Sequence, residues 1–153
     1  MINFRLVRTL EELTVLMPLF LEGFYAMNKK QKVFEVDKEG FIKTLVGVLN
    51  TTPKNGIVVA FDGVEPVGYG VGFDDTPTYG VKRELLLWAL YVKSGHSKVV
   101  APLLFQHGIE LAKLQGYEKL KAFNSRFSGA SFRFFEQLLG MRRSKIQFNM
   151  EIL

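Results

Sequence analysis

Hydrophobic and polar positions alternate at the start of the chain, with Ile2, Phe4 and Leu6 set against Asn3 and Arg5. That period predicts a half-buried strand over residues 2–8. From Thr9 the period lengthens: Leu13, Leu16 and Phe20 recur on one face, and Glu11 and Glu12 stand in the first turn. Thr9 is therefore read as the cap of a helix, which Pro18 kinks or divides because proline offers no N–H to the preceding turn. A second helix is predicted over 37–49, with Phe41, Ile42, Leu45, Val48 and Leu49 inward, closed by Thr52-Pro53-Lys54-Asn55-Gly56.

A hairpin follows, with strands over 57–61 and 67–73 around the turn Asp62-Gly63-Val64-Glu65-Pro66. The run from 84 to 92, Glu-Leu-Leu-Leu-Trp-Ala-Leu-Tyr-Val, is apolar on both faces, the pattern of a strand inside a sheet and covered on both sides. After Lys93-Ser94-Gly95-His96-Ser97-Lys98 comes a helix to about Gln115, with Leu103, Leu104, Leu111 and Leu114 inward and Gly116 as its stop. Pro102 is tolerated only in a first turn, so this helix is expected to begin no earlier than about Lys98. A short strand over 117–123 is expected to lie parallel to the previous one. A last helix starts at Ser128 or Ser131 and ends at Gly140, and a final strand spans 146–152.

With 153 residues and 48% apolar composition, the chain reads as one domain over 1–153 that can build a core without staples. Zero cysteines exclude disulfides, thiolate metal sites and acyl-cysteine intermediates. The two histidines, His96 and His107, are not expected to converge on a metal, so no metal site is assigned. No apolar run reaches the ~18 residues that span a bilayer, and the N-terminus has no basic stretch followed by an apolar core. The expected address is the cytoplasm, with no membrane association. The net charge of +5 favours anionic partners, a phosphorylated cofactor or nucleic acid. The basic residues do not interleave with aromatic ones as in a nucleic-acid module, so nucleic acid is the lesser option.

Gly68, Gly70 and Gly72 imitate a dinucleotide fingerprint, but they lie within a strand and a turn follows, so that reading fails. Period two puts all three on one strand face, either for close packing by a helix or to leave room for a substrate. Tyr91 to Leu104 is the stronger functional segment. There a strand ends, a turn of small and basic residues follows, and the unpaired N–H groups of a helix start suit a phosphate oxygen, with Lys93 and Lys98 adding charge.

Over residues 2 to about 152 the chain resembles the GNAT superfamily of acyl-CoA-dependent N-acetyltransferases. The hairpin Val59-Ala60-Phe61-Asp62-Gly63-Val64-Glu65-Pro66-Val67-Gly68 is similar to the family's second and third strands. Leu87-Trp88-Ala89-Leu90-Tyr91-Val92 resembles its fourth strand, and 128–141, ending Leu139-Gly140-Met141, its late helix. The resemblance implies an α/β (α+β) fold with a mixed, mostly antiparallel central sheet of about six strands flanked by about four helices. It implies acetyl-CoA as co-substrate in a cleft between the fourth and fifth strands, held by Leu90, Tyr91, Val92, Lys93, Gly95, His96, Ser97, Lys98, Val99 and Val100. The turn departs from the family's Arg/Gln-x-x-Gly-x-Gly/Ala pattern in carrying one glycine, Gly95. Phe135 occupies the usual position of the tyrosine that reprotonates the CoA thiolate. Glu84 is a candidate general base, with an exposed strand-end charge as the alternative; Tyr79 and Tyr91 are substitute acids.

The resulting expectation is an N-acetyltransferase that moves an acetyl group directly to an unidentified primary amine. The alternative is a catalytically inactive GNAT-fold module within a larger assembly. A homodimer is compatible with either.

Overall fold

The computed structural model describes residues 1–29, 37–52 and 54–122. Elements follow in the order β1 (Ile2–Leu6), α1 (Leu10–Val15), α2 (Met17–Asn28), α3 (Lys38–Asn50), β2 (Gly56–Asp62), β3 (Glu65–Asp74), β4 (Glu84–Val92), α4 (Ser97–Leu114) and β5 (Lys119–Ala122). Thr9 caps α1 as expected, and Asp37, expected as the first residue of its helix, caps α3 instead. The Thr9 hydroxyl accepts the Glu12 amide at 3.1 Å, and the Asp37 carboxylate accepts that of Gly40 at 2.6 Å. Pro18 does divide the first helical run: it is the second residue of α2, where a missing N–H costs nothing.

One sheet in the order β1-β2-β3-β4-β5 carries the domain, its first four strands antiparallel. β5 returns parallel to β4 after α4 crosses over. The sheet has two differently covered faces. Leu13 of α1, Phe20 and Phe24 of α2 and Phe41 and Leu45 of α3 pack on Val59, Tyr69 and Ala89. On the other face Val100 and Leu104 of α4 pack on Val58, Ala60 and Val67. The alternation of β2, whose residues 57–61 are all buried, thus serves both layers. No helix of the described residues is long and apolar enough to cross a membrane.

Several local expectations change. Asp62 pairs with Glu65, so the hairpin turn is the two residues Gly63 and Val64, with Gly63 at φ +64°; a two-residue turn twists with the strands only if such a residue supplies the positive φ. Pro66 belongs to β3, opposite Phe61, where the register shifts and a missing N–H is tolerated. α4 begins at Ser97, with Pro102 inside it as the sixth residue. Leu103 and Leu114 are 45% and 80% exposed, because the helix turns only its Leu104 side fully to the sheet. β4 is interior to the sheet, yet only Ala89 of its residues is fully buried; among the described residues its pairing with β5 runs over its first four. The expected helix over 128–140 and strand over 146–152 lie outside the described residues.

Candidate functional site

The site is built on β4 and the turn that follows it. β4 and β5 pair from Glu84↔Lys119 to Leu87↔Ala122. Among the described residues, β4 from Trp88 to Val92 is paired only on its β3 side. The same point carries a bulge: Val71 faces Ala89 and Gly72 faces Leu87, so the register skips Trp88. A bulge bends and twists its strand and takes one residue's polar groups out of the ladder. The Trp88 indole is held by Phe73 of β3, stacked at 5.3 Å, and by Phe41 of α3 at 5.5 Å.

The turn is anchored by the Lys93 amide, which donates to the Val67 carbonyl at 2.8 Å, and by the His96 amide, which donates to Lys93 at 3.1 Å. Gly95 sits at φ +89°, a conformation that glycine adopts without strain. The amides of Val99 and Val100 both donate to the His96 carbonyl, at 3.2 and 2.8 Å. Those of Ser97 and Lys98 are left as the first-turn donors without an intrahelical acceptor. Both residues are exposed, and Lys98 makes no ion pair among the described residues. Lys93 is already shared between Glu65 at 3.6 Å and Glu22 at 4.0 Å. His96 Nε2 lies 3.5 Å from Asp62, while its Nδ1 is buried without a partner. Val100 is 1% exposed and packs in the core, so of the sequence-derived set it is closed off from a ligand in both side chain and amide. The donors at Ser97 and Lys98 with the free Lys98 cation suit a phosphate group; the acidic residues around Lys93 and His96 oppose one.

The other candidates do not all converge here. Glu84 stands at the opposite end of β4, eight residues from Val92 and so about 26 Å along the strand from the turn. Its carboxylate is held by Lys119 at 3.3 Å and Lys121 at 3.8 Å. Tyr91 leaves β4 on the face covered by α1–α3 and packs near Tyr69 at 5.9 Å. Burial, and then the neighbouring Glu22 carboxylate, raise its phenol pKa above the ordinary value. Tyr79 is 96% exposed in the β3–β4 connection. His107 stacks on Phe4 at 4.7 Å, tying α4 to β1. Phe135 lies outside the described residues. Sequence reasoning missed Glu22 and the role of Trp88. Glu22 reads as one more solvent-facing helix residue, and a bulge leaves no mark on an uninterrupted apolar run.

None of the three glycines of β3 is kept small by a helix, the packing expected for them; what their Cβ atoms would meet belongs to β4. A Cβ at Gly68 would lie 2.8 Å from the Tyr91 carbonyl oxygen, so close backbone approach demands glycine there. At Gly70 the nearest atom would be Leu90 Cδ1 at 3.7 Å, an ordinary contact. Between this face and α4 lies an apolar cavity of about 100 Å³, with Gly56, Gly70 and Gly72 on its sheet side and Gly108 and Ala112 on its helix side.

No protein-family model matches the sequence, and no curated protein is similar to it. Solved structures do match. An aminoglycoside acetyltransferase from an uncultured soil metagenomic sample superposes with a TM-score of 0.74 at 14% identity, over 99% of this chain and 97% of that one. A glucosamine-6-phosphate N-acetyltransferase from Arabidopsis thaliana gives 0.71 at 15% identity, over 99% and 98%. A protein described as a probable acetyltransferase gives 0.72 at 22% identity, over 100% and 98%. The fold of this chain is therefore the GNAT fold, a mixed α+β domain built on a mostly antiparallel sheet.

Proposed function

We propose that the protein is an acyl-CoA-dependent N-acetyltransferase that moves an acetyl group directly to a primary amine. The observation that carries the reading is the coincidence along one strand of two features: the bulge at Trp88 and, where the strand turns into α4, a helix start whose Ser97 and Lys98 amides have no acceptor among the described residues. The pyrophosphate of acetyl-CoA lies against the Ser97 and Lys98 amides and the Lys98 ammonium. The pantetheine arm runs along Leu90, Tyr91 and Val92 on the side of β4 away from β3, where it adds hydrogen bonds like a short strand. This places the thioester near the bulge, where backbone N–H groups polarise its carbonyl.

The amine nitrogen attacks the thioester carbon, the carbonyl pair collapses back, and the carbon–sulfur bond breaks. The products are an amide and the CoA thiol, the proton lost by nitrogen balancing the one gained by sulfur. Orientation of the two reactants supplies most of the acceleration. Glu22, half-exposed beside Tyr91 and Lys93, is a carboxylate at the rim that attracts a cationic amine. Glu84 retains the role of base only if an acceptor reaches from the far end of β4, since its carboxylate is shared by two lysines.

The reading is tested by incubating the protein with acetyl-CoA and a panel of primary amines and following free thiol. The chain has no cysteine, so every thiol detected comes from CoA. Amine-dependent thiol release is the expected result. If acetyl-CoA binds but no amine releases thiol, the chain is a cofactor-holding module of this fold.

A further inference from the structure

The cavity between β3, β4 and α4 has no place in the transfer of a two-carbon group. Its emptiness is built into both walls. Among the described residues neither Gly70 nor Gly108 is glycine for steric reasons: a Cβ at Gly108 would meet none of them within 4 Å, and one at Gly70 only ordinary contacts. Neither has a positive φ. Small residues that face each other across a gap, where larger ones would fit, leave dispersion contacts unmade and cost stability. The lining is apolar, and the amine of Lys54 at its rim is drawn away to Asp74 at 3.4 Å. The wall on the β4 side is Leu85, Leu87 and Leu90, which flank the bulge at Trp88.

We infer that this cavity receives the hydrocarbon tail of an acyl group longer than acetyl, so that the preferred donor is a short-chain acyl-CoA of about four carbons. The inference rests on the acyl-CoA reading, which brings the thioester to Trp88. Size sets the chain length: an aliphatic cavity of about 150 Å³ stays dry and holds a benzene, and this one measures about 100 Å³. The ionic group of its described lining, Lys54, is already paired with Asp74, so an unbranched alkyl chain suits it better than a dicarboxylic one.

The test is calorimetric titration of the full chain with CoA, acetyl-CoA and butanoyl-CoA. The wild type is expected to bind butanoyl-CoA about fifteen-fold more tightly than acetyl-CoA, the transfer free energy of two methylene groups. Gly108→Leu fills the cavity from the helix side and should erase that ratio while leaving acetyl-CoA affinity unchanged. Gly70→Ala, which adds one methyl group from the sheet side, should reduce the ratio and guards against misfolding of the larger substitution. Equal affinity of wild type for the two thioesters, or a preference that survives both substitutions, overturns the inference while the acyl-CoA reading stands. No binding of CoA itself overturns both.

Discussion

Tyr69 shows how single residues hold the layers together. It is fully buried, its ring meets Phe20 edge-on at 4.9 Å, and its hydroxyl donates to the Phe20 carbonyl at 3.3 Å. Burial, and then Tyr91, push its phenol pKa far above the usual value, so it stays neutral. Gly23 in α2 makes this possible: a Cβ there would lie 2.3 Å from the Tyr69 hydroxyl oxygen. Gly23→Ala should therefore destabilise by about 1–3 kcal/mol through overpacking, although alanine in a helix is otherwise favoured by about 1 kcal/mol. Gly47 in α3 has nothing within 4 Å of such a Cβ, and Gly47→Ala should stabilise. Urea unfolding of both variants decides; a stabilised Gly23→Ala would show that the Tyr69 packing is looser than described.

Among the elements, the end of β3 is tied to its surroundings by Asp74. Its carboxylate accepts the Thr76 amide at 3.0 Å and lies 3.4 Å from Lys54 and 3.7 Å from Arg83. The Thr76 amide is the main cause, with Thr76, Tyr117 and Lys54 side chains adding to it, of a pKa lowered from 3.8 to about 2. A depressed carboxylate pKa contributes stability above the unfolded value, here about 4, which is lost as pH falls through 2. Asp74→Asn should cost about 2 kcal/mol at pH 7 and almost nothing at pH 2. Equal costs at both values in urea unfolding would mean that the charge is irrelevant. None of this cluster was legible in the sequence, because its members come from four segments that local patterns do not connect. What was legible is what local physics dictates: the cap at Thr9, the division at Pro18, the hairpin, the interior position of β4 and its parallel partner. The inward face of α4 was half-read: Leu104 packs, while Leu103 and Leu114 do not. The partners of Glu84 were invisible for the same non-local reason, since Lys119 and Lys121 arrive only through the β4–β5 pairing.

At the scale of the molecule, the bulge at Trp88, the β4 segment after it and the helix start at Ser97 form the cleft proposed for acetyl-CoA. The resemblance to acetyltransferases was readable from the order of elements, but the cavity under α4 was not, because it depends on glycines of two distant elements meeting across a gap. Ligand-linked stability tests the cleft most directly. A ligand that binds only the folded chain, at about 100 times its dissociation constant, stabilises by about 2.7 kcal/mol, which for a domain of this size raises the melting temperature by roughly 5–11 °C. Acetyl-CoA should give such a saturable shift. Adenosine diphosphate, which keeps the pyrophosphate and lacks pantetheine, should give a smaller one, and Lys98→Glu should diminish both without changing the melting temperature of the free protein. A melting curve unmoved by millimolar acetyl-CoA would contradict the account, leaving the fold and removing the chemistry.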